Sequence, residues 1–358
     1  MVKRILITGS GGPAGINFTK SLRIAPERML LVGTEANEYY VTLAVTHKTL
    51  MVPEATSREY VDKLNEIIVQ EGAEFVHPQP DVEVLALSEQ REKLKATMML
   101  PSKRAIRICQ DKFESVKRWQ QKNLPVPRTM ELKNAKDIAT AFETLGSPLW
   151  VRAKHGAGAT GSTPAFNKET VSAWIGYWRS RGESWEFIAQ EYCKGRNIGF
   201  HSLWKEGELV ASMARERLQY PYPHLAPSGI TGTPSVQRTI HDDQVNKIGT
   251  EAVLAIDSGF SGIACVDLKE NDEGVPCPTE INAGRMFTTS FFFSYASKTL
   301  LKNYNANFPY LYVRLGYKEH IPHIPQYNIL PEGLWWIRHI DAPARLLKTR
   351  KVAGTMYR

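Results

Sequence analysis

Residues 262–285, GIACVDLKENDEGVPCPTEINAGR, decide how this chain is read. Two apolar runs, GIACVDLKE and VPCPTEIN, flank the turn NDEG and are expected to be paired strands. Asp267 lies near the end of the first run, Glu280 and Asn282 end the second, and Arg285 follows. Strands joined by a short turn are neighbours, and residues i and i+2 of a strand share a face. Two carboxylates and an amide oxygen are hard ligands suited to magnesium carried by phosphates. A guanidinium beside them can neutralise a transferring phosphoryl group.

Working outward, IAQEYCKGRN at 188–197 is an apolar run that turns polar at Gln190 and Glu191 and breaks at Gly195. A strand end with free backbone groups can read a purine edge. HGAGATGS at 155–162 lies between two strand-like segments, and its glycines let backbone N–H groups wrap phosphate oxygens. Arg152 enters that loop, and Lys112 opens a helix expected over about 111–122. NIGFHSLWKEGELVASMARERL reads as a hairpin turning at Lys205–Glu208. PYPHLAPSGITGTP at 221–234 has no periodicity and is expected to be a loop.

At the other end, KRILIT, the loop GSGGPAG, a helix and MLLVGT alternate as in a parallel sheet, expected to span residues 1 to about 105 with further strands near 75–76 and 98–100. Gly9 to Gly15 sits where a dinucleotide fingerprint would, with Glu35 at the spacing of a ribose-binding acid. The same glycines also suit a plain strand–helix turn, and the loop alone does not choose. In the last sixty residues only GLWWIRHID reads as a strand.

The 358 residues are enough for two or three domains. The net charge of +8 carries no nucleic-acid motif with it and suits a cleft for anions. Four cysteines without metal or disulfide spacing fit a reducing compartment. With no signal-peptide pattern and no long apolar run, the expectation is a cytoplasmic protein without nucleic-acid or membrane partners.

The order of these parts resembles the ATP-grasp family, above all the branch around the large subunit of carbamoyl phosphate synthetase. The resemblance is carried by ILITGSGGPAGINFTKSLR, QDKFESVKRWQQKNLPVP, PLWVRAKHGAGATGS, IAQEYCKG and the opening stretch, and covers about residues 3–310. It implies an α/β chain: a Rossmann-like pre-ATP-grasp domain over 1–105, then an ATP-grasp fold of two α+β subdomains over 106–310. The lid would span about 125–190, and a C-terminal extension over 311–358 would pack on the ATP-grasp domain.

It further implies ATP with one or two Mg²⁺ (or Mn²⁺) as cofactors. Lys112, Arg152, Lys154, Gly156, Gly158, Gly161 and Ser162 would meet the phosphates. Gln190, Glu191 and Cys193 would line the adenine, and Asn197 stands where a ribose-binding glutamate is usual. Asp267, Glu280 and Asn282 would hold the metal, Arg285 would touch the phosphoryl group, and Arg215 and Arg217 would lie near a substrate carboxylate. The implied activity joins a small-molecule carboxylate to an amine or ammonia, in a chain that can form homo-oligomers. The competing readings are an NAD(P)-dependent oxidoreductase built on the first glycine loop and a non-catalytic nucleotide-binding module.

Overall fold

The computed structural model describes residues 2–156, 159–340 and 345–348. Its first sheet is parallel, with β1 (Lys3–Ile7), β2 (Met29–Glu35), β3 (Lys48–Met51) and β4 (Phe75–His77) in the order β3-β2-β1-β4. Parallel pairing demands crossovers, and the chain supplies α1 (Pro13–Arg23), the single turn α2 (Glu38–Val41) and α3 (Tyr60–Glu71) between these strands. Helix α4 (Asp81–Glu89) follows β4. The strand expected at 98–100 does not form; the segment makes only an isolated bridge at Thr97 to Phe75. Strand β3 carries too few apolar residues to be recognised in the sequence: KTLM is half-exposed at the sheet edge.

Helices α5 (Lys103–Gln110) and α6 (Lys112–Gln121) lead to a second sheet. Its antiparallel strands β5 (Thr129–Leu132), β6 (Leu149–Ala153), β7 (Thr163–Ala165) and β8 (Phe187–Glu191) run in the order β5-β8-β6-β7. The apolar faces of α7 (Ala135–Leu145) and α8 (Lys168–Ser180) cover it and close a separate core around Leu149, Val151 and Phe187.

The third sheet positions the site. Strands β9 (Asn197–Lys205), β10 (Glu208–Gln219) and β11 (Val236–Ile240) precede α9 (Asp243–Ile256), β12 (Gly262–Glu270) and β13 (Pro276–Ala283). Helices α10 (Ser290–Ala296) and α11 (Phe308–Gly316) and strands β14 (Trp335–Ile337) and β15 (Arg345–Leu347) complete it, in the sheet order β13-β12-β9-β10-β11-β14-β15. The β9–β10 hairpin turns on Glu206 and Gly207, both left-handed (φ 52° and 86°), as a primed two-residue turn requires. The segment around Trp336 joins the third sheet: β14 pairs with β11, and Trp336 is buried in the core beside Phe292.

Period-two alternation gives this sheet two unlike faces. Ile198, Phe200, Ala264, Val266, Ile281 and Ala283 pack with α5, α6 and α9. The intervening residues of the same strands face the other way, into a cleft shared by the three sheets. No helix among the described residues is long and apolar enough to cross a membrane.

Behind the first glycine loop lies a buried carboxyl, Glu83 of α4, near Thr8, Tyr60 and Glu35. Burial first, with Glu35 adding repulsion, pushes it up to about 7. The folded state therefore keeps a proton that the unfolded chain releases near pH 4.5, so stability falls as pH rises between those values. The slope is about 1.4 kcal/mol per pH unit. Glu83→Gln is expected to melt above the wild type at pH 8 and to lose that advantage near pH 5, as read by thermal denaturation across the window.

Candidate active site

A cavity of about 660 Å³ opens where the three sheets meet. Its floor is the polar face of the third sheet: Asn197 and His201 from β9, Arg215 and Arg217 from β10, Cys265, Asp267 and Lys269 from β12, Glu280 and Asn282 from β13. Trp150 and Arg152 of β6 and Ser162, just before β7, line one wall together with Gln190, Glu191 and Cys193. Gly9 to Gly15 and the start of α4 line another wall, and the loop over 228–234 also lines the cavity.

Asp267 and Glu280 are direct register partners on β12 and β13. The register slips at Thr279, whose hydroxyl donates to the Asp267 carbonyl at 3.1 Å. This bulge is accommodated because β13 is an edge strand, where Pro278 removes no ladder bond that the sheet needs. Each carboxylate carries a guanidinium: Arg152 is ion-paired to Glu280, and Arg217 reaches Asp267 at 2.5 Å. Arg285 is ion-paired to Asp81 of α4 at 2.5 Å and donates to the Asn282 amide oxygen at 2.5 Å. Burial opposes the charge on Glu280, but Lys112, Arg152 and Arg285 outweigh it and hold the carboxyl down at about 2. Burial and the neighbouring Arg217 together lower the Arg215 guanidinium to about 9.

Gly199 makes the Arg217–Asp267 contact possible. It is the register partner of Asp267 on β9, the strand between β12 and β10, and a Cβ there would stand 3.0 Å from the Arg217 guanidinium and 3.1 Å from His201 Nε2. Its bare backbone is the passage through which Arg217 crosses β9.

The structure sorts the remaining expected residues. Lys112 is buried and donates from Nζ to the Gly156 carbonyl at 2.6 Å, so it ties down the glycine-rich loop without lining the cavity itself. Gly156 and Gly161 likewise stay off its wall, and Gly158 lies outside the described residues. Lys154 is a correction: its ammonium is held by Glu131 at 3.0 Å and Glu186 at 3.1 Å, and it does not line the cavity. The Glu191 N–H is taken by the Arg128 carbonyl at 2.9 Å. That N–H is engaged within the protein, while Gln190, Glu191 and Cys193 all line the cavity. Asn197 donates to Tyr220 Oη at 3.1 Å and accepts from Arg217 at 3.3 Å.

The first glycine loop loses its dinucleotide reading here. Glu35 accepts the Gly11 N–H at 2.9 Å and the Ala36 N–H at 3.2 Å, so the acid serves its own loop. A Cβ on Gly11 would fall 1.9 Å from the Tyr40 carbonyl, so backbone already covers the place of a pyrophosphate.

Sequence reasoning passed over His201, Asp81 and Tyr220. His201 had a signal: Asn197, Gly199 and His201 alternate along NIGFHSLW on one face of a strand. Asp81 had none, because its partner Arg285 is about two hundred residues away.

The match to an ATP-grasp domain spans residues 109–289. The chain belongs to the ATP-grasp family. Several solved structures share its fold. A carboxyaminoimidazole ribonucleotide synthase from Aspergillus clavatus, solved with ATP, superposes with a TM-score of 0.69 at 16% identity, covering 94% of this chain and 81% of that one. An L-amino acid ligase from Bacillus licheniformis gives 0.68 at 15% identity, covering 93% and 78%. The biotin carboxylase domain of Hydrogenobacter thermophilus 2-oxoglutarate carboxylase, solved with MgADP and bicarbonate, gives 0.70 at 14% identity, covering 94% and 74%. At such identities the likeness establishes the fold. No curated protein sequence matches the chain.

Among the described residues no cluster of three or more His, Cys, Asp or Glu side chains forms a metal site. The ATP-grasp domain offers a different donor set, two carboxylates and an amide. Asp267 and Glu280 face each other across β12 and β13, and Asn282 shares the face of Glu280. These hard oxygens fit a magnesium ion. Arg152 and Arg217 now neutralise the same carboxylates, and a cation would release both guanidinia toward phosphate oxygens.

Proposed function

We propose that the chain is an ATP- and Mg²⁺-dependent ligase that activates a small-molecule carboxylate as an acyl phosphate for attack by an amine or ammonia. The observation that carries this reading is the facing pair Asp267 and Glu280, with Asn282 and Arg285, on the floor of a cavity walled by the lid sheet. Magnesium, held by Asp267, Glu280 and Asn282, would spread the negative charge of the phosphates.

The chain's own residues do the positioning. Arg152 and Arg285 are cations at the phosphoryl end of the cavity, suited to the charge that grows on the transferring group. The substrate carboxylate oxygen attacks the γ-phosphorus, the bond to the bridging oxygen breaks, and ADP leaves. The amine then attacks the acyl carbon and phosphate departs, with one amine proton passing to phosphate or solvent. The segment 228–234 lines this space, and by closing on bound ligand it would exclude water from an intermediate that water would destroy. The Trp150–Cys193 side offers the adenine a half-apolar wall. A cytoplasmic setting, with its ATP, suits this chemistry.

The test is ADP release with ATP and Mg²⁺ over a panel of carboxylates, with hydroxylamine as the amine. Hydroxamate formed in step with ADP supports a ligase. Stabilisation by NADH and not by ATP with Mg²⁺ in a thermal-shift assay would contradict it. Lys112→Ala is expected to raise the KM for ATP several-fold while kcat falls less, because it frees the Gly156 loop without touching the reacting atoms. Steady-state kinetics in ATP check this.

A further inference from the structure

Four arginines line the cavity, and three are spoken for. Arg152, Arg217 and Arg285 pair with Glu280, Asp267 and Asp81. Arg215 is different: it is 2% exposed and has no carboxylate partner among the described residues. Its Nε donates to His201 Nε2 at 2.7 Å, its Nη1 to Thr289 Oγ1, and its plane lies 5.2 Å from the Phe293 ring centroid. Its Nη2 has no hydrogen-bond partner among the described residues.

The hydrogen bond from Arg215 also fixes the histidine. An acceptor at Nε2 places the imidazole proton on Nδ1. That Nδ1–H is buried and has no acceptor among the described residues, although His201 lines the cavity. A buried cation without an anion and a buried donor without an acceptor are each costly. Together they describe a place built for something negative that arrives with the ligand.

Register sets where that place is. Glu280, Asp267, Gly199 and Arg215 lie in one row across four adjacent strands. Arg215 is two strands from Asp267, about 10 Å between Cα atoms. Arg217 crosses from the same strand to Asp267, but the Arg215 guanidinium is held by His201 and Thr289 instead, so a group bound at Arg215 is not the one that meets the phosphoryl group beside Asp267 and Glu280.

We infer that Arg215, oriented by His201, binds a second, non-reacting anionic group of the substrate, so that the acid this chain activates is a dianion such as a dicarboxylate. This rests on the ligase reading for the identity of the reacting group, not for the existence of the subsite. Arg215 is the contact residue; His201 is a positioning residue that also offers Nδ1–H.

The probes are succinate, glutarate and adipate against the matched monoacids butyrate, valerate and caproate, with 4-phosphonobutyrate to separate phosphoryl from carboxylate recognition. Binding is read by thermal shift with a non-hydrolysable ATP analogue and Mg²⁺, and turnover by ADP release with hydroxylamine. At least one diacid or the phosphonate is expected to bind wild type about tenfold or more tightly than its monoacid. Arg215→Met is expected to bring that ratio near one, with Arg215→Lys keeping part of it. His201→Leu should raise KM for the dianion more than it lowers kcat, and His201→Gln, which still accepts from Arg215, should restore most of the loss. Equal binding of diacids, phosphonate and monoacids by wild type, or an unchanged ratio in Arg215→Met, overturns the subsite. Arg215-dependent dianion binding with no ADP release leaves the subsite standing and removes the ligase. ADP release with no preference for dianions does the reverse.

Discussion

Glu280→Gln is expected to lower ADP formation by about a thousandfold, at the upper end for removal of one electrostatic stabiliser from an active site. Glu280 is the anion against which Lys112, Arg152 and Arg285 are balanced, and its carboxyl is held ionised by them. The substitution keeps the shape of the side chain and one oxygen but removes the charge that a magnesium ion needs. It also leaves buried cations short of an anion, which costs about 3 kcal/mol of stability when a buried pair is broken. Circular dichroism and a thermal melt must therefore accompany the assay. A folded variant without turnover is the expected result; a folded variant with wild-type turnover would show that Glu280 takes no part.

Gly199→Val is expected to be nearly as damaging, through a residue that touches no reacting atom. The strand itself tolerates the change, since valine favours strands and its neighbours Ile198 and Phe200 face the core on the other side. The added methyls would occupy the space of the Arg217 guanidinium and crowd His201, since even a bare Cβ comes within 3.0 Å and 3.1 Å of them. Arg217 is then driven from Asp267, and His201 from Arg215. Activity should fall by about a hundredfold or more while the melting temperature moves by only a few degrees. Gly199→Ala, which intrudes less, should fall between valine and wild type. Full activity in Gly199→Val would mean that the Arg217–Asp267 contact is dispensable.

Much of this architecture was legible in the amino-acid order, and the reasons are specific. Lys168–Ser180, Asp243–Ile256 and the β9–β10 hairpin carry strong periodicity and clear punctuation, so helix, strand and turn are each set locally. The facing of Asp267 and Glu280 was readable because a short turn, NDEG, leaves their strands little choice but to pair. What escaped were relations between distant segments. Nothing near Arg285 announces Asp81, and nothing near Glu35 reveals that its carboxylate is consumed by the Gly11 amide. Lys154 misled because a lysine beside a glycine-rich loop reads as a phosphate ligand, whereas Glu131 and Glu186, on other elements, claim its ammonium. Arg215 and Arg217 look equivalent in ARERL, yet only one of them meets a carboxylate.

The central claim is that Asp267 and Glu280 jointly receive the metal-bound tail of a nucleotide. A crystal structure of the protein soaked with a non-hydrolysable ATP analogue and Mg²⁺ tests it most directly. The account predicts a cation between the two carboxylates and the Asn282 amide, with Arg152 and Arg217 turned from their acids toward phosphate. A nucleotide bound elsewhere, or bound in this cavity with both ion pairs still closed and no cation between them, would contradict it.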